Sequence, residues 1–317
     1  MTNATDITAD AVALQERDEF RAAGWLKLIA PAKVNLHLAI GARRDDGYHE
    51  AVSVMHAINL HDVVYACRSA EAAASENGVI VHMIGCGDVE APDIAPADNI
   101  AAKAVRALDA SGIELRIEKN IPAEGGLGGG STDAAAALVA AAELLGLASD
   151  DPAIERAARG LGADVAFFLH GGCACLTGVG DEFARALAPS KRSVALVKPA
   201  GGVSTAAAYR AFDEAPSPIP DDIAANAATA QRADDVLLFN NLAPASERLA
   251  PELAEVRAWA CAQPGVEDAL LCGSGATTFA VCADFATACR VVAEARKRGW
   301  WARATSFGSA RAMAVKS

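Results

Sequence analysis

The sequence predicts an α+β protein built from two domains. Its 317 residues are many for one hydrophobic core. Strand-like and helix-like segments come in runs instead of strict alternation, which argues against a doubly wound parallel sheet. A second block of strands and helices opens near Ser193. These observations divide the chain into an N-terminal extension (1–24), a first domain (25–188) and a second domain (189–317).

The first clear strand is "WLKLIAPAKVNLHLAIGARR". Beyond Pro31 it alternates, with Val34, Leu36, Leu38 and Ile40 on one face and Lys33, Asn35, His37 and Ala39 on the other. Pro31 cannot donate to a ladder, so it marks the strand's start or an irregularity in it. "DDGYHE" is a turn, followed by strand-like "AVSVMHAINL", "DVVYACRS" and "GVIVHMIG". A polar, proline-containing loop leads to the helix "NIAAKAVRALDASG", and "IELRIEKNIP" is a strand entering a glycine-rich bend. A long Ala-rich helix and a shorter one, "PAIERAARGLG", come next. "DVAFFLHGGCACLTGVGDEF" reads as a hairpin. In the second block, "SVALVKP" is a strand, "STAAAYRAF" starts a helix, and helices continue through Ala262 after a Pro/Asp-rich linker. "VEDALLCGSGATTFAVCAD" gives two strands around a small-residue turn. The helix "FATACRVVAEARKRG" and a last strand, "ARATSFG" with "ARAMAV", finish this block.

Composition excludes several classes. Asp+Glu number 40 against 28 Lys+Arg, a net charge of -12, which repels nucleic acid and anionic membranes. The most basic run, "EARKRGW", is a solvated helix end. Eight cysteines carry no metal-ligand or disulfide-framework spacing, and no signal peptide is apparent, so reduced thiols in the cytoplasm are expected. The most apolar stretch, "AAAALVAAAELLGL", is interrupted by Glu143 and is a buried helix instead of a membrane span.

The bend "IPAEGGLGGGST" (121–132) carries the functional signal. Glycine gives up more backbone freedom on folding than any other residue, so such a cluster implies a close approach that side chains would block. It is not a P-loop of the form G-x-x-x-x-G-K-S/T, because Ser131 stands where the lysine belongs. A dinucleotide G-x-G-x-x-G register fails at the same residue. What remains is a strand, a glycine bend and a helix start at "STDAAAAL", with Ser131, Thr132 and Asp133 as capping candidates. Free backbone N–H groups and the positive helix end suit an anion there. A helix end alone offers about 0.3–1 kcal/mol to a charge, so a triphosphate needs several amides and a metal ion. Ser131 or Thr132 can offer Mg²⁺ a hydroxyl.

Phosphoryl transfer also needs a proton acceptor and a cation. Asp164, between a helix end and an apolar segment, is the candidate acceptor, with a turn or cap aspartate as the bland alternative. Lys33 is the candidate cation, otherwise a lysine on an exposed strand face. Tyr48 offers a ring for stacking on a base, and His49 a donor and an acceptor for a heterocycle's edge. "CGSGATTF" (272–279) either closes on phosphates or is a plain hairpin turn.

"APAKVNLHLAI", "RRDDGYHE", "IPAEGGLGGGSTDAAAAL", "LGADVAFFLHGG" and "CGSGATTFAV", in this order, resemble the GHMP small-molecule kinase superfamily. "PAKVNL" with "DGYHE" narrows this to its branch acting on a cytidine diphosphate-linked methylerythritol. The resemblance spans Leu26 to about Val315. It implies an N-terminal domain like the second domain of the fifth small-subunit ribosomal protein, and a ferredoxin-like C-terminal domain. The implied activity is transfer of the γ-phosphate of ATP, with Mg²⁺, to the 2-hydroxyl of the methylerythritol unit, by a monomer or weak homodimer. It assigns Lys33 and Asp164 as the catalytic pair. Pro122, Ala123, Glu124, Gly125, Gly126, Leu127, Gly128, Gly129, Gly130, Ser131 and Thr132 become the ATP loop, with Ser131 the candidate Mg²⁺ ligand. Asn35, Tyr48, His49 and Tyr209 become the substrate residues. The loop lacks the P-loop lysine because this superfamily brings its cation from a distant strand. Rival readings are a homoserine- or mevalonate-type kinase and a catalytically silent nucleotide-binding regulator. Two departures stand out. Glu124 brings a negative charge into the loop, and "FNNL" replaces the more usual asparagine–aspartate–leucine.

Overall fold

The computed structural model describes residues 24–315, so the expected N-terminal extension lies almost wholly outside the described residues. The chain runs β1 (Leu26–Arg43), β2 (His49–Arg68), α1 (Ala70–Ala74), β3 (Val79–Gly85), α2 (Ile100–Arg106), β4 (Ile113–Lys119), α3 (Gly129–Leu145), α4 (Pro152–Leu161), α5 (Ala163–His170), β5 (Cys173–Thr177) and β6 (Glu182–Leu187). It continues with β7 (Ser193–Lys198), α6 (Thr205–Glu214), α7 (Asp221–Thr229), β8 (Phe239–Asn240), α8 (Ala243–Leu249), α9 (Glu252–Cys261), β9 (Val266–Leu271), β10 (Thr278–Cys282), α10 (Phe285–Lys297), β11 (Trp301–Ser306) and β12 (Met313–Ala314).

One eight-stranded sheet is ordered β12-β1-β2-β4-β3, with β5 and β6 continuing from β2 and β8 lying beside β1. Its covering helix, α3, is alanine-rich for a physical reason. Alanine is the best helix former, and its methyl lets the helix axis lie close to the strands. Ala134 to Leu138 and Ala140 to Ala142 are buried, packing with Leu28, Val64, Leu115 and Ile117 of the sheet and with Phe167 and Phe168 of α5. The second sheet is fully antiparallel, ordered β11-β7-β10-β9. With helices after its first strand and α10 before its last, it is a ferredoxin-like unit. Asp284 caps α10, accepting from the Thr287 N–H at 2.7 Å.

Several expectations are corrected. "DVAFFLH" is the helix α5, not a hairpin strand; only residues 173–187 form the hairpin. A short apolar run does not distinguish strand from buried helix, and here the flanking Gly162 and Gly171 delimit a helix. The two segments after "DDGYHE" are one 20-residue strand, β2. Helix α2 ends at Arg106 instead of Gly112. "ARAMAV" does not finish the second sheet: β12 pairs with Leu28 and Ile29 of β1. The β1 alternation also fails past Asn35. Register shifts at Pro31/Lys33 and Asn35/His37 break the ladder. His37 therefore turns away from Lys33 and Asn35 and packs near Phe239, 5.5 Å between ring centres. At "FNNL", Asn241 ties down β1, its Oδ1 accepting from the Ile40 N–H (2.8 Å) and its Nδ2 donating to the Ile40 carbonyl (2.9 Å).

Candidate active site

The β1 irregularities aim Lys33 and Asn35 into a cavity of about 350 Å³, which Asp164, Ser53, Tyr209, Thr205 and Ser274 also line. Asp164 enters from the first turn of α5. Lys33 Nζ lies 3.3 Å from Asp164 Oδ2, with side-chain exposures of 5% and 29%. The ammonium is thus almost dry while the carboxylate keeps an open edge. Lys33 Nζ also donates to Asn35 Oδ1 at 2.8 Å, and Asn35 Nδ2 donates to Ser53 Oγ at 2.9 Å. Ser53 Oγ–H in turn donates to the His37 carbonyl at 3.2 Å. This fixes the Asn35 amide with its oxygen toward the ammonium.

A second cavity, about 310 Å³, is lined by Lys119, Asn99 and the whole bend from Ile121 to Ser131. Helix α3 begins at Gly129, with Gly128 as N-cap at φ 76° and no side-chain cap. The expected capping by Ser131, Thr132 or Asp133 is therefore corrected. Thr132 turns inward, fully buried, and its N–H bonds to the Gly128 carbonyl at 2.9 Å. The uncapped first-turn N–H groups of α3 are left for a ligand.

The glycines divide by what they touch. A Cβ on Gly126 would stand 2.1 Å from the Cys272 carbonyl oxygen, and one on Gly128 2.6 Å from the Phe168 ring. These two admit the protein itself. A Cβ on Gly130 would meet nothing nearer than 3.7 Å, so there the space is open. The "CGSGATTF" turn closes on the loop: Ala276 N–H donates to the Glu124 carbonyl (2.9 Å) and Thr277 N–H to that of Gly125 (3.1 Å). Gly126 and Gly128 line both cavities, so the carboxylate–ammonium pair and the open amides flank one junction.

Residues 99–172 match the GHMP kinases N terminal domain and residues 222–299 the GHMP kinases C terminal model. A 4-diphosphocytidyl-2-C-methyl-D-erythritol kinase from Desulfitobacterium hafniense is 39% identical, covering 87% of this chain and 93% of its own. The enzyme of the same name from Salinispora arenicola is 38% identical, covering 86% and 88%. The chain belongs to the 4-diphosphocytidyl-2-C-methyl-D-erythritol kinase family. A crystal structure of 4-(cytidine 5'-diphospho)-2C-methyl-D-erythritol kinase superposes with a TM-score of 0.70 at 31% identity, covering 89% of this chain and 99% of that one. A homoserine kinase from Cytophaga hutchinsonii shares the fold, with a TM-score of 0.64 at 20% identity. Two-domain α+β architecture and kinase class are thus those of the family.

In this family member the residues expected at the site are not all together. Lys33, Asn35, Asp164 and Tyr209 share the first cavity, and Pro122 to Ser131 surround the second. Tyr48 lies on the turn before β2, 65% exposed and outside the cavity lining. His49 is buried, its ring 5.5 Å from that of Tyr209. Glu124 is exposed and lines the second cavity, with its carboxylate beside Gly202.

Sequence reasoning missed one buried cluster. Lys119, at the end of β4, pairs with Asp62 of β2 and with Asp133 of α3, the latter at 2.5 Å. Asp62 Oδ1 also accepts the N–H groups of Asn120 (2.5 Å) and Ile121 (2.8 Å), anchoring the entry to the glycine bend. Burial, reinforced by the neighbouring Asp62 charge, pushes the Asp133 carboxyl well above the usual carboxylate range, although Lys119 opposes it. The available signal was Asp62 inside the apolar "LHDVVY"; Lys119 sits in "RIEKNI" beside Arg116 and Glu118, where nothing in the sequence marks it as buried. Among the described residues no cluster of three or more His, Cys, Asp or Glu could hold a metal ion. None of the helices described is long and apolar enough to cross a membrane.

Proposed function

We propose that the protein transfers the γ-phosphoryl group of ATP to the 2-hydroxyl of 4-diphosphocytidyl-2-C-methyl-D-erythritol, a step in non-mevalonate isoprenoid precursor synthesis. The observation that carries this is the shared rim at Gly126 and Gly128, which places the Lys33–Asp164 pair at the border of an amide-lined cavity. The open space at Gly130 and the uncapped start of α3 suit a polyphosphate. Ser131, which lines that cavity, is the residue that would hold Mg²⁺. When bound, the ion neutralises phosphate charge. Residues 25–188 supply the glycine loop and the catalytic pair, and residues 189–317 supply the "CGSGATTF" turn and Tyr209, with β8 and β12 crossing back to the first sheet.

Asp164 accepts the proton of the substrate hydroxyl as the new O–P bond forms. The bond from the γ-phosphorus to the bridging oxygen breaks, and ADP leaves with that electron pair. Lys33 orients the hydroxyl, and Asn35, held by Ser53, keeps the ammonium in place. Tyr48, His49 and Tyr209 bind the nucleotide end of the alcohol substrate. The reading places the enzyme in the cytoplasm, as a monomer or weak homodimer without a nucleic-acid or membrane partner, in keeping with its net charge of -12.

The test is a substrate panel. Purified protein with ATP and Mg²⁺ should release ADP with the cytidine diphosphate-linked alcohol and not with homoserine or mevalonate. Comparable turnover of either of the latter would reject the reading.

A further inference from the structure

Helix α6 presents Tyr209, Phe212 and Asp213 on one face, at the spacing i, i+3 and i+4 that stacks side chains along a helix. All three reach His49, the first residue of β2. The imidazole lies 5.5 Å from the Tyr209 ring, tilted by 41°, and 5.9 Å edge-on from the Phe212 ring. Its Nε2 is 2.8 Å from Asp213 Oδ1. Arg43 Nη1 stands 3.8 Å from the other Asp213 oxygen.

An ionised carboxylate only accepts hydrogen bonds, so Nε2 carries a proton and donates it to Asp213. In the neutral imidazole that leaves Nδ1 with a lone pair and no hydrogen. Nδ1 has no partner among the described residues and is not among the fully buried unpaired polar atoms. The ring therefore shows one acceptor of fixed direction, boxed by two aromatics. Resting on the function proposed above, we infer that Asp213 is a positioning residue for substrate choice. It holds His49 in the tautomer whose Nδ1 accepts a hydrogen bond from the exocyclic amine of cytosine. At that position uracil carries a carbonyl oxygen, which would set lone pair against lone pair. Asp213 thereby makes the site prefer a cytidine to a uridine diphosphate-linked alcohol.

The experiment compares wild type, Asp213→Asn and Asp213→Glu on the cytidine- and uridine-linked alcohols, with ¹⁵N NMR of the His49 ring at a pH where it is neutral. Wild type should prefer the cytidine substrate by roughly 10–100-fold in kcat/KM, the usual share of one unmet buried hydrogen bond. Its ring should show protonated Nε2 and bare Nδ1. Asparagine can donate as well as accept, so it no longer dictates the tautomer. In Asp213→Asn the preference should shrink, mainly through KM, and the ¹⁵N signature should shift toward the other tautomer. Asp213→Glu, still acceptor-only, should restore both. A wild-type ring protonated on Nδ1, or an Asp213→Asn enzyme with unchanged preference, overturns the inference. An enzyme idle on both nucleotide-linked alcohols overturns the function reading instead, and the ring's ¹⁵N signature then decides by itself whether Asp213 sets the tautomer.

Discussion

The Lys33 ammonium stands 3.3 Å from the Asp164 carboxylate, one delivered by the bulged strand β1 and the other by the first turn of α5. Replacing Asp164 by asparagine keeps the shape but removes the proton acceptor. Turnover should fall about 10²–10⁴-fold, the ordinary contribution of a general base. ATP affinity by calorimetry should stay near the wild-type value. Unchanged turnover would remove Asp164 from the chemistry.

Gly126 and Gly130 should fail differently. At Gly126 a methyl would meet the Cys272 carbonyl oxygen at 2.1 Å, on a backbone with φ 71°. Left-handed geometry alone costs about 1–2 kcal/mol for a side-chain-bearing residue. Gly126→Ala should therefore lower the unfolding midpoint in urea as well as ATP affinity. Gly130→Ala, with open space around it, should leave the midpoint alone and weaken ATP only. Equal destabilisation by both would erase the distinction.

Lys119→Met would leave Asp62 and Asp133 buried without their shared cation. Breaking such a pair typically costs 3–5 kcal/mol. Chemical denaturation should show a loss of about that size. A loss under ~1 kcal/mol would mean that the carboxylates find other partners.

His56 is fully buried, its Nδ1 donating to the Ala57 carbonyl (2.8 Å) and its Nε2 accepting the Ser190 N–H (2.8 Å). Both nitrogens are satisfied only in the neutral ring, and burial lowers its pKa to about 4. His37 is likewise lowered to about 4 by burial, with the Leu237 carbonyl, outside hydrogen-bond geometry, offsetting this only in part. Between the unfolded value near 6.5 and about 4, the unfolded chain binds the extra proton. Stability is therefore full above that window and drains as pH falls through it. Linkage gives about 2 kcal/mol per histidine between pH 7 and pH 5. Urea titrations at the two pH values read this directly, and His56→Gln should give a shallower dependence. A flat wild-type profile would contradict the assignment.

Tyr209→Ala and Tyr48→Ala should each weaken the nucleotide-linked alcohol, by about 1–3 kcal/mol where the ring stacks on the base. Steady-state KM for that substrate, with ATP saturating, is the measurement. An effect confined to ATP would contradict the role.

Much of this was legible in the residues. "GGLGGGST" announced a bend leading into a helix, and the turn "DDGYHE" and the hairpin around "CGSGATTF" fell where expected. What escaped was non-local. Nothing in "DVAFFLHGG" tells a buried helix from a strand, because so short an apolar-rich run satisfies either period once tertiary burial is complete. Bulges that swing His37 away from Asn35 leave no mark in an alternating pattern. Asp133 read as a cap because aspartate near a helix start usually is one. Its true partner, Lys119, comes from the preceding strand and becomes visible only when α3 is laid on the sheet. Gly126 and Gly128 read as room for phosphate, although their nearest neighbours are Cys272 and Phe168.

β1 receives β2 immediately after it in the chain, β8 from around residue 240, and β12 only at residues 313–314. Such sequence-distant pairings slow folding, since loop entropy is lost before the contacts form. During synthesis, then, the strand bearing Lys33 gains β12 only after every other described strand and helix has emerged. Chains cut before Met313 should accumulate with that edge unpaired, open to pairing with other chains.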